Sequence, residues 1–343
     1  MNLFTFAQPH NAREAIDEVA GNASFADDAV RFIAGGTNLL DLMKEDVVKS
    51  RRLVDINRLP LDRIEEEGSG IRLGATARNA DTAYHRLVRK RYPLLTAAIL
   101  AGASPQLRNM ASNGGNLLQR TRCYYFYDVG TPCNKREPGT GCSAIGGITR
   151  QHAILGASAQ CIATHPSDMC VALAALDATV HVESTRGKRA IPFDQFHRLP
   201  GDAPHYDTVL EADELITHIA LPDADRYAAH SVYIKLRERL SYAFALVSVA
   251  AALDIDTGGT ILGGRVALGG VAHKPWRKPE AERLLEGQQP AAALFGRVAD
   301  VLLAGATGQG DNDFKIDMAR NAIVRALEAA VHGTLTNTGD ADD

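Results

Sequence analysis

The first 58 residues alternate apolar and polar positions in the way that a small α/β unit requires. Apolar residues recur at helical spacing between Ala12 and Ala20, which predicts an amphipathic helix. Asn11 stands where an N-cap is expected, and Gly21 where a left-handed residue ends a helix. The buried strand VRFIA then runs directly into GGTNLLDLMKEDV, and RLVDI follows. The pattern predicts a strand, a glycine turn, a helix and another strand.

A second unit is predicted from about residue 59 to residue 225. It begins with the strand IRLGA, continues with a helix over 79–88, and then contains the apolar segment PLLTAAILAGA. Further along, PSDMCVALAALDA predicts a helix with Asp168 in its first turn, and TVHVES alternates like a half-exposed strand. ELITHIALP predicts the strand that closes the unit.

The last third of the chain, 226–332, begins with the strand-like runs SVYIKL, FALVSVAAALDI and ILGGRVALGGV. Helical periodicity follows in three stretches, 278–286, 290–305 and 314–331. Strands followed by helices predict a separate α+β domain. We expect a linker at 223–230 and a disordered tail at 333–343.

Composition narrows the possible partners and compartments. A chain of 343 residues with 45% hydrophobic content can bury a core, and its net charge of −4 favours neither nucleic acid nor an anionic membrane. No apolar run approaches a membrane span of about 20 residues. The start, MNLFTFAQPH, lacks the plan of a signal peptide. We therefore expect a protein without a membrane span and without an export signal of its own.

Two stretches share a glycine pattern, AGGTNLL at 34–40 and NGGNLL at 113–118. Paired glycines can adopt positive φ and lack a Cβ, so backbone N–H groups can converge on an anion where a helix begins. A diphosphate would fit there, and the alternative is a pair of tight turns. Neither stretch matches G-x-G-x-x-G or the P-loop, so a Rossmann site or an NTPase is not indicated.

The cysteines are few, and most of them lie in one region. An odd number, five, argues against a disulfide framework and for reduced thiols. Four of them, Cys123, Cys133, Cys142 and Cys161, follow at intervals that match neither the close pairs of structural zinc sites nor the ferredoxin spacings. From these residues alone, an iron–sulfur cluster, zinc and spare thiols all remain open. Cys170 lies in the helix-like MCVALAAL, where buried packing is expected.

The residues around these thiols are mainly basic. The cations between 120 and 150 are Arg120, Arg122, Lys135, Arg136 and Arg150, against the anions Asp128 and Glu137. This positive excess suits a cluster that carries four thiolates and a net negative charge.

Five motifs, taken in their order along the chain, resemble those of a known family. The ordered set IAGGTNLLDLMK, ASNGGNLL, THPSDMCVALAALDA, DELITHIALP and YIKLRERLSYAFALVSVAA is similar to the FAD-binding medium subunits of the molybdenum hydroxylases. Most of that family has a Ser-Asp element soon after the second glycine loop. Here an insertion containing the four cysteines separates Asn116 from Ser167 and Asp168. It resembles the [4Fe-4S] loop of hydroxybenzoyl-CoA reductase and, more closely, that of the three-subunit bacterial aldehyde oxidoreductases exported to the periplasm.

The resemblance implies a set of site residues. The FAD-binding positions would be Ala34, Gly35, Gly36, Thr37, Asn38, Leu39, Ser112, Asn113, Gly114, Gly115, Asn116, Asp168 and Lys235, and the cluster ligands would be Cys123, Cys133, Cys142 and Cys161. Asp168 matches an acid near the ribityl and diphosphate, and Lys235 matches a lysine beside the isoalloxazine. Where the family often has an aspartate, this chain has Ser241 before Tyr242, so no role is transferred there.

The resemblance also implies the architecture. It predicts an α+β protein with a two-subdomain FAD-binding domain of the vanillyl-alcohol-oxidase/PCMH type, followed by a C-terminal antiparallel sheet with helices. The subdomains would span 1–58 and 59–225, with the cluster insertion at about 120–163 and the C-terminal domain at 226–332.

The implied function is electron transfer within a heterotrimer. A large molybdenum-cofactor subunit would oxidise an aldehyde, and a small subunit with two [2Fe-2S] clusters would pass electrons to FAD in this chain and on to an external acceptor. The location would be periplasmic if a signal-bearing partner is co-exported, and otherwise cytoplasmic. Two alternatives remain: a zinc-stapled, non-redox interaction module and a self-sufficient flavin oxidase.

Overall fold

The computed structural model describes residues 1–21 and 29–334. Its first unit contains β1 (Thr5–Ala7), α1 (Ala12–Ala20), β2 (Ala29–Ile33), α2 (Leu39–Lys44) and β3 (Ser50–Asp55). The strands form a parallel sheet in the order β1-β3-β2. The predicted order of strand, glycine turn, helix and strand is therefore confirmed.

The two ends of α1 differ in how well the sequence predicts them. The side chain of Asn11 accepts a hydrogen bond from the N–H of Glu14 at 2.9 Å, so the predicted N-cap is confirmed. The prediction of a left-handed Gly21 is wrong, because its φ of −64° and ψ of −10° are right-handed. Glycine permits positive φ but does not require it.

The second unit comprises thirteen elements. They are β4 (Ile64–Glu67), β5 (Gly70–Gly74), α3 (Asn79–Tyr84), α4 (Arg86–Arg91), α5 (Pro93–Ala101), α6 (Pro105–Arg108), α7 (Asn113–Leu117), α8 (Tyr124–Tyr127), α9 (Asp168–Ala175), β6 (Thr179–Ser184), β7 (Gly187–Pro192), α10 (Phe193–Phe196) and β8 (Leu215–Leu221). The strands form an antiparallel sheet in the order β4-β5-β8-β6-β7. The helix predicted over 79–88 is wrong as one element, because His85 has an extended backbone with ψ of 131° and divides it into α3 and α4.

The third unit consists of β9 (Ser231–Leu236), β10 (Val247–Ile255), β11 (Ile261–Gly269), β12 (Trp276–Arg277), α11 (Pro279–Glu282), α12 (Ala292–Leu302) and α13 (Phe314–Val331). The strands form an antiparallel sheet in the order β12-β11-β10-β9. The predicted α+β class and the predicted succession of strands and helices are confirmed.

Strand β10 joins two hydrophobic cores, which explains why its sequence is apolar on both faces. Val249 and Ala251 pack into the core of α12 and α13, whereas Ala250 and Ala252 pack into the core that contains α9. Because successive side chains of a strand point to opposite faces, one strand can fill both cores. The sheet of the third unit thus lies directly against the second unit.

The segments predicted as linker and tail are both attached to the fold where they are described. In the linker, Asp223 and Asp225 accept hydrogen bonds from Arg91 at 3.3 and 2.7 Å. Of the tail, residues 335–343 lie outside the described residues. Thr334 donates its N–H to the carbonyl of Ala229 at 2.8 Å, so the tail as predicted begins too early. None of the helices in the described ranges combines the length and apolar character needed to cross a membrane.

The cysteine insertion, residues 120–163, is built from turns, α8 and isolated backbone bridges. It is fixed to the third unit, because Leu155 donates its N–H to the carbonyl of Val271 at 3.0 Å. Lys315, at the start of α13, is fully buried and donates to the carbonyls of His152 and Gly270 at 2.8 and 2.6 Å. The buried side chain of Lys315 therefore connects the insertion to the third unit.

Replacing Lys315 with methionine is expected to change how stability depends on pH. Burial lowers the pKa of Lys315 from 10.5 to about 7. Between these values the unfolded chain binds more protons than the folded chain, so this residue makes stability rise with pH. The unfolding free energy of the wild type minus that of Lys315→Met should therefore increase from pH 7 to pH 10, by about 1.4 kcal/mol for each unit of pKa shift. Urea titrations at several pH values measure it.

The matched control is Lys188→Met, which removes a lysine whose side chain is 78% exposed. Lys188→Met should stay within about 0.5 kcal/mol of the wild type, as exposed substitutions usually do. A constant difference for Lys315→Met would mean that the buried lysine keeps its ordinary pKa.

Candidate functional site

A cavity of about 1300 Å³ lies where the three units meet. We call it the main cavity. Small-molecule sites usually measure about 300–1,000 Å³, so this one has room for an extended ligand. Of the thirteen positions assigned to FAD from the sequence, eleven line it: Ala34, Gly35, Gly36, Thr37, Asn38, Leu39, Ser112, Gly115, Asn116, Asp168 and Lys235.

The first glycine loop follows β2 and presents its backbone to the main cavity. No hydrogen-bond partner is found within residues 1–21 and 29–334 for the N–H groups of Gly35, Gly36 and Thr37. Gly36 has a φ of +71°, the left-handed region that favours glycine. A Cβ on Gly35 would lie 1.9 Å from the carbonyl oxygen of Met110. Gly35 therefore allows the two loops to approach each other, while the loop keeps donors available for an anion.

The second glycine loop has a different local structure from the first. Ser112 caps α7 through the N–H of Gly115 at 3.3 Å, and neither Gly114 nor Gly115 has positive φ. The N–H groups of Asn113 and Gly114 donate to the carbonyls of Ala77 and Ala75 at 2.9 and 2.8 Å, and both residues lie behind the cavity wall. The expected convergence of free N–H groups is therefore wrong for this loop, which offers side chains and the surface of Gly115.

A chain of hydrogen bonds connects the second loop to the start of α9. The amide of Asn116 donates to Asn79 at 2.7 Å and accepts from the hydroxyl of Ser167. Ser167 is the N-cap of α9 and accepts from the N–H of Cys170 at 3.1 Å. These bonds fix the first turn of α9 at the edge of the main cavity.

Asp168, in that first turn, is held by two residues of β9. Its carboxylate accepts a hydrogen bond from Tyr233 at 2.7 Å and another from Lys235 at 2.7 Å. The side chains of Asp168 and Lys235 are only 7% and 4% exposed. Burial first, and then the negative charge of Asp168, raise the pKa of Tyr233 well above its ordinary value. Asp168 and Lys235, which the resemblance assigns to separate roles, thus form one buried ionic unit joining the second and third units.

Breaking this ion pair on one side is expected to destabilise the chain strongly. Asp168→Asn would leave the ammonium of Lys235 buried without its counter-charge, which costs about 3–5 kcal/mol in comparable pairs. The urea midpoint of the chain freed of ligand should fall accordingly. The double variant Asp168→Asn with Lys235→Met should recover much of the loss, because no unpaired charge remains. If Asp168→Asn and the double variant lost the same amount of stability, the two side chains would not be coupled.

The main cavity also contains residues that sequence reasoning did not assign to it. They include Arg120, Lys135, Arg136, Arg239 and Tyr242, whereas Ser241 does not line it. Three of these five, Arg120, Lys135 and Arg136, belong to the basic stretch between 120 and 150. The sequence prediction connects that stretch with the thiols and not with the main cavity. Tyr242 has a φ of +50°, and its carbonyl accepts from Arg239 at 2.9 Å.

The four cysteines of the insertion line one small cavity, which we call the thiol cavity. Cys133 and Cys142 form a backbone bridge with each other, and Cys161 forms one with Ser158. Burial first, and then the neighbouring Cys133 and Cys161, raise the pKa of Cys123 to about 12. The charges on these sulfurs would therefore act on one another, so an electropositive group is needed to hold all four as thiolates.

His152 contacts this group of thiols directly. Its Nε2 lies 3.0 Å from the Sγ of Cys123 and can donate a hydrogen bond to the sulfur. Burial lowers the pKa of His152 to about 4, so the ring is neutral near pH 7. A neutral imidazole that donates to sulfur stabilises the thiolate form.

Cys170 lies apart from these four cysteines, fully buried in α9 as predicted. Its sulfur and one nitrogen from each of His165 and His197 lie within 4.8 Å of one another. Among the residues that the structure describes, these three are the one such group of possible single-ion ligands. Burial raises the pKa of Cys170 to about 12, which keeps its thiol protonated in the absence of a metal.

Comparisons with known proteins agree with this architecture. The family described as FAD binding domain in molybdopterin dehydrogenase matches residues 2–224, and the family described as CO dehydrogenase flavoprotein C-terminal domain matches residues 231–330. The fold and these matches define a flavoprotein subunit of an oxidoreductase. The chain belongs to the FAD-binding medium subunits of the molybdenum hydroxylases.

Individual relatives support the same assignment. The chain is 50% identical over 302 residues to the aldehyde oxidoreductase FAD-binding subunit PaoB of Escherichia coli (strain K12), covering 88% of this chain and 91% of that protein. It is 28% identical to the glyceraldehyde dehydrogenase medium chain of Sulfolobus acidocaldarius, covering 83% of this chain and 82% of that protein. A solved carbon monoxide dehydrogenase structure from Hydrogenophaga pseudoflava has a TM-score of 0.74 at 27% identity, covering 96% of this chain and 97% of that one.

Proposed function

We propose that this chain carries FAD in the main cavity and a [4Fe-4S] cluster in the thiol cavity, and transfers electrons for a molybdenum-dependent aldehyde oxidoreductase. The observation that carries the proposal is the convergence of four cysteines on a cavity that shares a wall residue, Lys135, with the main cavity. Two redox groups placed there would be neighbours. FAD supplies two-electron chemistry, and an iron–sulfur cluster supplies one-electron transfer.

The spacing of the thiols favours a cluster over a single zinc ion. Tetrahedral zinc binds sulfur at about 2.3 Å, which would bring its sulfur ligands within about 4 Å of each other. Cys123, Cys133, Cys142 and Cys161 do not supply such a group within 4.8 Å among the described residues. A four-iron cluster binds each thiolate through a different iron and needs a wider spacing.

The first glycine loop fits the diphosphate of FAD. Its unpaired N–H groups at Gly35, Gly36 and Thr37 would donate to phosphate oxygens, which are the strong acceptors that such a backbone concavity recognises. Asp168 and Lys235, which line the same cavity, would help to orient the ligand, because their ion pair fixes both side chains. In this arrangement the chain binds and orients the cofactor and contributes the surrounding charges.

The aldehyde would react on another subunit. The name of the Escherichia coli relative assigns it to an aldehyde oxidoreductase as its FAD-binding subunit, and the present chain spans 91% of its length. We therefore propose a large molybdenum-cofactor subunit and a small subunit with two [2Fe-2S] clusters as partners, with an external electron acceptor. We further propose a periplasmic location if a signal-bearing partner is co-exported, and a cytoplasmic one otherwise.

Stopped-flow absorbance with an aromatic aldehyde tests this division of labour. The isolated chain should bind FAD and show no aldehyde-dependent bleaching of the flavin, whereas the complex reconstituted with both partner subunits should show it. An artificial reductant should bleach the flavin in both samples, because that step needs only the bound isoalloxazine. Iron and zinc analysis of the same samples should find iron at about four per chain.

Two results would overturn the proposal. Aldehyde-dependent bleaching in the isolated chain would identify a self-sufficient flavin oxidase. Stoichiometric zinc without iron, in a sample that lacks the broad brown absorbance of a cluster, would identify a zinc-stapled module.

A further inference from the structure

We propose that Lys135 is a fixed buried cation shared by the two redox sites, and that it raises the reduction potential of the thiol-bound cluster relative to the flavin. The inference rests on the proposed function, because it requires a cluster in the thiol cavity. It concerns a residue that no part of the functional assignment above uses as a ligand. Lys135 is a positioning and tuning residue in this proposal, and the cofactors carry the chemistry.

Lys135 is the one described residue that lines both cavities. It lies two positions after Cys133, on the turn that returns the chain toward Cys142. Its side chain is 1% exposed, so bulk water does not screen its charge on either side. Lys135 therefore forms part of the partition between the proposed flavin and cluster sites.

The ammonium group of Lys135 is held by three partners from distant parts of the chain. It donates to the carbonyl of Pro204 at 2.8 Å, lies 2.7 Å from Nε2 of His273, and forms an ion pair with Asp207. The other ring nitrogen of His273, Nδ1, lies 2.8 Å from the carbonyl of Arg198 and can only donate to it. Nε2 is then left as the acceptor for Lys135.

The surroundings leave a net positive charge at this partition. Burial would raise the pKa of Asp207, but Lys135 and Arg120 outweigh it and hold this pKa well below its ordinary value. Arg120 donates to Asp207 at 2.8 Å, so two cations face one carboxylate. Burial and the charge of Lys135 lower the pKa of His273 to about 4, so the imidazole adds no charge near pH 7.

The positive charge acts on the thiols. Lys135 lines the thiol cavity together with Cys161 and the other three cysteines, and its side chain is buried. A cation that stabilises a thiolate also stabilises the extra electron of a reduced cluster at the same place. A [4Fe-4S] cluster held here would gain one negative charge on accepting one electron given up by the reduced flavin, and Lys135 would favour that state.

The test compares Lys135→Met, Lys135→Arg and the wild type in the assembled complex. Cluster potentials are measured by redox titration with electron paramagnetic resonance, and flavin potentials by absorbance. Lys135→Met should reduce the equilibrium constant for electron transfer from flavin to cluster at least tenfold, which is 59 mV or more for a one-electron couple. Lys135→Arg keeps the charge and should retain most of the wild-type value.

Two further variants separate a local charge effect from other causes. Lys278→Met removes a lysine that donates to the carbonyls of Val301 and Ala304 and lines neither cavity, so it should leave both potentials unchanged. Asp207→Asn keeps Lys135 but removes its counter-charge, so it should shift the cluster potential in the opposite direction from Lys135→Met. Asp207→Asn also tests the role of Lys135 if Lys135→Met loses its cofactors.

The possible failures can be distinguished. Wild-type complex without iron would overturn the proposed function. Iron-replete, FAD-replete Lys135→Met with unchanged potentials would overturn only the role of Lys135. If Lys135→Met cannot be loaded, an unshifted cluster potential in loaded Asp207→Asn would overturn that role as well.

Discussion

Replacing any one of four cysteines with serine is expected to reduce bound iron to well below four per chain. The residues are Cys123, Cys133, Cys142 and Cys161. A serine hydroxyl does not ionise near neutral pH, so the altered site would offer three thiolates to a group that needs four. Iron and acid-labile sulfide per chain, together with the electron paramagnetic resonance spectrum of the reduced protein, measure the effect.

Cys170→Ala is the matched control and should retain its iron. Cys170 is fully buried in α9, lines neither cavity and lies beside His165 and His197. FAD content should be measured in every variant, because a collapsed insertion would also disturb the wall of the main cavity. Retention of iron in Cys161→Ser combined with its loss in Cys170→Ala would exchange the assignments of these two cysteines.

Gly115→Val is expected to remove most of the FAD while the chain remains folded. A Cβ at Gly115 would meet only the Oγ of Ser112, at 2.9 Å, and the residue lines the main cavity without positive φ. The added methyl groups would therefore extend mainly into the space proposed for FAD. We expect at least a tenfold loss of affinity, about 1.4 kcal/mol. Calorimetric titration of the FAD-free protein measures it, and circular dichroism checks the fold.

Gly35→Val should behave differently, although both glycines belong to similar sequence motifs. Its Cβ would collide with the carbonyl of Met110, so the variant should lose thermal stability as well as FAD. Gly21→Val is the control, because a Cβ at Gly21 would meet no atom of the described residues within 4 Å and Gly21 does not line the cavity. Full FAD occupancy in Gly115→Val would mean that the second loop does not contact the ligand.

These glycines show why similar local sequences do not define equivalent sites. The two loops have similar patterns, Gly-Gly-x-Asn-Leu-Leu in the first and Gly-Gly-Asn-Leu-Leu in the second. The sequence predicts free N–H groups in each. Within the part of the chain that the structure describes, the first loop keeps them, whereas the N–H groups of Asn113 and Gly114 bond to the carbonyls of Ala77 and Ala75. Which donors are already paired depends on chain segments that the motif does not contain.

Local pattern was sufficient to predict most elements and the α+β class. The strands Ser231–Leu236 and Thr179–Ser184 and the helix Phe314–Val331 occur at the predicted residues, because their periodicity is a property of adjacent positions. The predicted grouping of Asp168 with the first glycine loop also agrees with the lining of one cavity. That grouping came from the resemblance of ordered motifs to a family and not from periodicity.

The errors have local causes that the sequence pattern does not express. The extended backbone of His85 divides a predicted helix, and Gly21 remains right-handed although glycine often ends helices in the left-handed form. Tyr242 shows the reverse case, a non-glycine residue in the left-handed region, which no composition rule would have placed there.

The sequence by itself determined most of the elements, the positions of the glycine loops, the family and the set of cysteines available to a metal group. Only the tertiary structure decided that Lys135 lines both cavities and that its ammonium contacts Asp207 and His273, the latter 138 positions away along the chain. Helix and strand periodicity arises from neighbouring residues, whereas such a contact exists only after the insertion has packed against the third unit. The charge at the partition is therefore a product of packing, and a reading of the basic residues along the chain could indicate its sign but not its position.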